Sequence, residues 1–125
     1  MYLKPKPSIL QEKSKAFSAR IIKMVKYLYK DKPLNPIHTQ LLKSGTSVHA
    51  NVKEAEFAQS PADFVHKLSK ALKEVNETDG WIDLLLESEC ITAAAHESIK
   101  KDCLEIVSML VASINTTRKN HGLYT

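Results

Sequence analysis

Between Gln40 and Leu86, small and apolar residues recur every three or four positions on both sides of a single interruption. Before it stand Ile37, Leu41, Ser44, Gly45, Val48, Val52 and Ala55; after it stand Phe64, Leu68, Ala71, Leu72, Val75, Ile82, Leu85 and Leu86. This is the period of an α-helix with one buried face. The interruption is Ser60-Pro61, a capping residue followed by a proline suited to the first helical position, with Asp63 placed to reach back as in a capping box. A connection this short makes the two helices antiparallel neighbours.

The rest of the chain falls into register around this hairpin. A first helix carries the stripe Phe17, Ile21, Met24, Val25 and Leu28, and Asp31-Lys32-Pro33 ends it. Its start lies between Ser8 and Ser14 and is set at 14, because Pro5 and Pro7 mark residues 1–13 as a flexible leader. Asn35-Pro36 opens the second helix, and Thr92 is a cap candidate for a fourth with the stripe Ile99, Cys103, Ile106, Leu110 and Ile114. The expected spans are 14–30, 36–58, 61–87 and 92–118, with 119–125 as a frayed tail. The fold class is all-α: an antiparallel up-down-up-down four-helix bundle of left-handed packing. Gly45 sits mid-helix, where glycine is costly, so a neighbouring backbone is expected to approach it closely. Trp81 is expected over a flank of the bundle or a subunit contact. Leu104, Val107 and Val111 widen the apolar face of the fourth helix, which makes it either the most central helix or part of an oligomer interface.

A chain of 125 residues is one domain. Its two cysteines, Cys90 and Cys103, are too few for a disulfide framework and are expected as small buried hydrophobes. No secretory signal and no membrane-spanning run is visible, so a cytoplasmic location is expected. The net charge of +4 is unevenly spread. Residues 1–43 hold ten Lys/Arg against two acids, a net +8; residues 44–125 hold eight against twelve, a net −4. Such polarity suits a basic surface for nucleic acid, or a basic helix lying against acidic neighbours. Arg20, Lys23, Lys26 and Lys30 form a basic stripe at helical spacing, with Tyr27 beside it. Positioned cations of this kind contact phosphates, although a solvated face carries the same pattern.

Enzyme chemistry finds little footing. Di-metal bundles need Glu-x-x-His pairs, which this chain lacks, and no two of its histidines share a ligating spacing. Glu74 and Glu77 lie one turn apart with Glu54 on the antiparallel helix; these acids are expected on a solvated edge or bonded to Lys53, Lys70 or Lys73. Asn51, one position off the apolar stripe, is expected as a buried hydrogen-bonding partner of one of them. Phosphate loops, dinucleotide fingerprints and nucleophile elbows are absent.

The run Gln40-Leu41-Leu42-Lys43-Ser44-Gly45-Thr46-Ser47-Val48-His49-Ala50-Asn51-Val52-Lys53-Glu54-Ala55 resembles the bacterial four helix bundle protein family, also called the 23S ribosomal RNA intervening-sequence protein family. The likeness continues through Ser60 to Phe64, Lys67-Leu68, Ala71 to Glu74, Glu77-Thr78 and Trp81-Ile82, and covers the chain from Phe17 to Ile114; His49 and Gly80 depart from the pattern. The resemblance implies an up-and-down bundle assembling as a ring, a homopentamer. Members are encoded in insertions within large ribosomal RNA genes. A related branch, the accessory variability determinant of diversity-generating retroelements, is a basic ring that engages reverse transcriptase and nucleic acid. The resemblance implies no enzymatic activity and no cofactor, and gives structural roles to Gln40, Asn51, Glu54, Glu74 and Glu77. The function expected is non-enzymatic association with RNA or DNA through the first helix, or, alternatively, a protein–protein scaffold.

Overall fold

The computed structural model describes residues 8–31 and 36–123. Four helices follow one another: α1 (Ile9–Asp31), α2 (Pro36–Ala55), α3 (Pro61–Glu87) and α4 (Ala93–His121). No strand occurs among the described residues. α2 packs between α1 and α3, α4 packs mainly on α3, and a lighter contact between α4 and α1 closes the bundle.

The helix ends follow from local hydrogen bonding, and they differ from the expected spans at three places. α1 begins at Ile9, within the expected window of Ser8 to Ser14 but ahead of the start set at 14. Ser8 Oγ accepts from the Gln11 amide at 3.2 Å while Gln11 Oε1 accepts from the Ser8 amide at 2.7 Å, a reciprocal box that nucleates the helix just after the prolines. Residues 1–7 of the expected leader lie outside the described residues. α2 ends at Ala55 rather than 58, because the Glu56, Phe57 and Ala58 amides bond three residues back and tighten the chain out of the helix. α4 runs through His121 instead of fraying after 118. Gly122 takes the left-handed conformation (φ 63°) and Leu123 bonds back to the Arg118 carbonyl while packing on the core.

The α3 start is as expected at Ser60, whose hydroxyl accepts from the Asp63 amide; the Asp63 carboxylate reaches back to the Gln59 amide, one residue before the cap. At the α3 end the Glu89 amide bonds to Leu86 and the Cys90 amide to Leu85, with Glu89 itself at φ 61°. This closing motif ordinarily places glycine at the left-handed position.

The core is contributed by all four helices: Phe17, Ile21 and Val25; Leu41, Val48 and Val52; Leu68, Val75 and Ile82; Ile99, Ile106 and Leu110. Small residues on α2 let its neighbours close in on both sides. A Cβ on Gly45 would lie 2.8 Å from Ile21 Cβ, so only glycine fits beneath that side chain. Beside it, Ser18 Oγ donates to the Gly45 carbonyl at 2.7 Å and accepts from the His49 amide at 3.2 Å, binding α1 to the α2 backbone. On the opposite flank Thr78 Oγ1 donates to Ser44 Oγ at 2.9 Å. Trp81 packs half-buried on a flank, as expected.

Candidate nucleic-acid interface

α1 turns its apolar stripe inward and thereby divides its basic residues into two sets. Lys13 and Arg20 lie on the flank that meets α4. Lys13 pairs with Glu105 at 3.0 Å, and Arg20 donates to Asp102 at 2.6 Å and to Ser98 Oγ at 2.6 Å. These two bridges span the lightly packed α1–α4 seam. Lys15, nearer the start of the helix, and Lys23, Lys26 and Lys30 point to solvent and hold no ion pair among the described residues. Of the four residues expected to form one stripe, Arg20 is therefore committed to the fold and three lysines stand free. Tyr27, among them, is 68% exposed.

Next to this face the second half of α1, the α3–α4 turn and the first turn of α4 enclose an open groove of about 600 Å³. Met24, Leu28 and Ile91 form its covered side, while Lys23, Tyr27 and Cys90 are exposed around it. Cys90 is thus at the surface, contrary to the buried position expected for it; the helix-closing turn at Ser88–Glu89 carries it outward. Cys103 is buried as expected, and its burial pushes its thiol up to about 12.

The polar residues singled out on α2 and α3 are spread out. Gln40 and Glu54 are exposed. Asn51 is buried but donates to the Ser47 carbonyl of its own helix at 2.9 Å, where a carboxylate partner was expected. An amide one turn above a carbonyl needs no cross-helix acceptor. Glu77 accepts weakly from the Trp81 indole at 3.4 Å. Partial burial, then the nearby Glu77 carboxylate, raise the Glu74 pKa. None of the three acids pairs with Lys53, Lys70 or Lys73 among the described residues; Lys53 instead faces Glu56 at 3.7 Å.

A charge cluster not anticipated from the sequence joins α3 to α4. Lys100 Nζ sits 2.8 Å from both Asp79 oxygens, and His96 Nε2 lies 2.7 Å from Asp83 Oδ1. The hydrogen bond from His96, more than the Lys100 charge, holds the Asp83 carboxyl below its ordinary range. The signal was present as Asp79/Asp83 and His96/Lys100, each pair four residues apart and so on one helix face. His49 leans on Ser14 Oγ at 3.1 Å; desolvation and the charges of Lys53 and Lys15 lower its pKa. Ser14 is fully buried and its hydroxyl donates to the Gln11 carbonyl at 3.1 Å. No group of three or more His, Cys, Asp or Glu that could hold a metal occurs among the described residues. No helix among them is long and apolar enough to cross a membrane.

A family model described as 23S rRNA-intervening sequence protein matches residues 6–112. A crystal structure of a protein of unknown function from the S23 ribosomal protein family of Bacteroides thetaiotaomicron is similar at 44% identity and a TM-score of 0.82, covering 85% of this chain and 98% of that one. No curated protein matches. Neither the family nor this neighbour points to an enzyme. The resemblance carried by α2 and α3 thus extends over nearly the whole bundle, and the chain belongs to the 23S rRNA-intervening sequence protein family.

Proposed function

We propose that the protein is a non-enzymatic, cytoplasmic module that associates as a homo-oligomer with nucleic acid through the outer face of α1. The observation that carries this reading is the division of the basic residues. Lys13 and Arg20 are engaged in holding α4, whereas Lys23, Lys26 and Lys30 are exposed without acidic partners among the described residues. A basic helix that merely balanced acidic neighbours would engage these lysines the same way. Unpaired cations on one rigid face suit phosphates, whose neutralisation releases counterions and makes affinity fall steeply with salt. The test is binding of structured RNA and of duplex DNA across a salt series, with Lys23→Glu and Lys26→Glu. Affinity is expected to drop on charge reversal, and the salt slope to shrink by about one for each phosphate that is no longer neutralised. Binding insensitive to salt and to both variants would retire the reading.

Self-association has its own support in α4. Leu104 is 60% exposed and Val111 39%, with Val107 half-buried between them, all on the flank away from α1. Because α4 is peripheral, the wide apolar face noted in the sequence is not explained by central burial. A second copy of the chain is the proposed cover, and the ring of five that the family resemblance implies is the assembly proposed.

A further inference from the structure

The groove beside Tyr27 offers more than a charged surface. Its covered side is apolar, an aromatic ring stands exposed at its edge, and the free lysines begin on that same edge with Lys23 and continue along α1 to Lys26 and Lys30. A purely electrostatic phosphate surface requires neither the cavity nor the exposed ring. A volume of about 600 Å³ lies within the range of small-molecule sites and is ample for a planar base. A second large groove, at the opposite end of the bundle, is bordered by Glu56 as its one charged residue and has no such lysines. Charge therefore distinguishes the two cavities.

We propose that this groove receives an unpaired base of RNA, stacked on Tyr27 over Met24, Leu28 and Ile91, while Lys23, Lys26 and Lys30 take the adjoining phosphates. The inference rests on the nucleic-acid reading above and narrows it from phosphate contact to recognition of single-stranded segments. RNA is the occupant because loops and bulges leave its bases unstacked, and aromatic side chains are what such bases stack on. Glu89, the acid bordering the groove, lies on the α3–α4 turn, so the backbone of the strand runs along α1 and not across that turn. Arg20 forms part of the wall but its guanidinium stays with Asp102 and Ser98.

Cys90 provides the readout. It is the exposed thiol at the groove, whereas Cys103 is buried and resists deprotonation, so alkylation of the folded protein by iodoacetamide reports on Cys90, with Cys90→Ser as the blank. An unstructured RNA oligonucleotide is expected to slow this alkylation at least about fivefold, and a duplex of the same sequence to leave it unchanged. Tyr27→Ala is expected to weaken binding of the unpaired RNA by about tenfold, the usual scale for losing one stacked base, while Tyr27→Phe retains it. Protection by duplex or by single-stranded DNA as strong as that by RNA overturns the proposal, as does indifference to Tyr27→Ala. If charge reversal at Lys23 and Lys26 weakens binding while Cys90 remains unprotected, the groove is wrong and the basic face stands. If no nucleic acid binds at all, both fall.

Discussion

Gly45 is under a tight packing constraint, because Ile21 occupies the volume that any side chain there would need. Gly45→Leu should therefore destabilise the protein by about 1–3 kcal/mol or more, read from the urea midpoint at unchanged slope. An unaltered midpoint would mean that α1 yields easily at this point. The constraint is legible in the sequence, since a glycine inside a helix is unfavourable unless a neighbour demands it. The partners of Asn51 and Arg20 are not. A helical wheel gives the direction of a side chain but not the polar atom nearest to it. Asn51 bonds to a carbonyl on its own helix, and Arg20 meets Asp102 at a sequence separation of 82. The position of Cys90 escapes the sequence for a related reason: its exposure follows from the φ of the preceding residue, which no periodicity encodes.

For the elements, the existence of all four helices and both stripes of the central hairpin are readable, because each apolar period is sustained over several turns. The ends depend on single residues with competing signals. Ser8-Ile9-Leu10-Gln11 is a capping box, yet the nearby prolines draw the expected start further along; they precede the box and do not interfere with it. Gly122 marks the true end of α4 and lies inside the segment expected to fray. α3 ends without such a glycine: Glu89 adopts the left-handed conformation that disfavours a Cβ. Glu89→Gly should thus stabilise the protein by about 1 kcal/mol and raise Tm by a few degrees. The hydrogen bonds of Glu89 and Cys90 to α3 involve backbone atoms only and survive the change. A lower Tm would show that the Glu89 side chain contributes an interaction outweighing its backbone strain.

At the scale of the molecule, the lysine cluster of α1 and the apolar strip of α4 lie on different faces of the bundle. Lys23, Lys26 and Lys30 are exposed together on α1, while Leu104 and Val111 are exposed on the side of α4 turned from it. An assembly through α4 would leave the basic face of every copy available and repeat it, so several lysine clusters could meet one nucleic-acid chain. Linked weak contacts of this kind raise affinity far beyond that of one copy. If the proposed ring of five 14.0 kDa chains, about 70 kDa, forms through this face, Leu104→Glu combined with Val111→Glu is expected to reduce it to a helical monomer, as followed by light scattering and circular dichroism. Both positions are exposed within one copy, so the substitutions should leave the core intact. RNA affinity should fall in parallel although neither residue lies on α1, and this coupled loss separates an assembly role from a merely sticky patch. A particle whose mass ignores the double substitution would place the contact between copies elsewhere on the bundle.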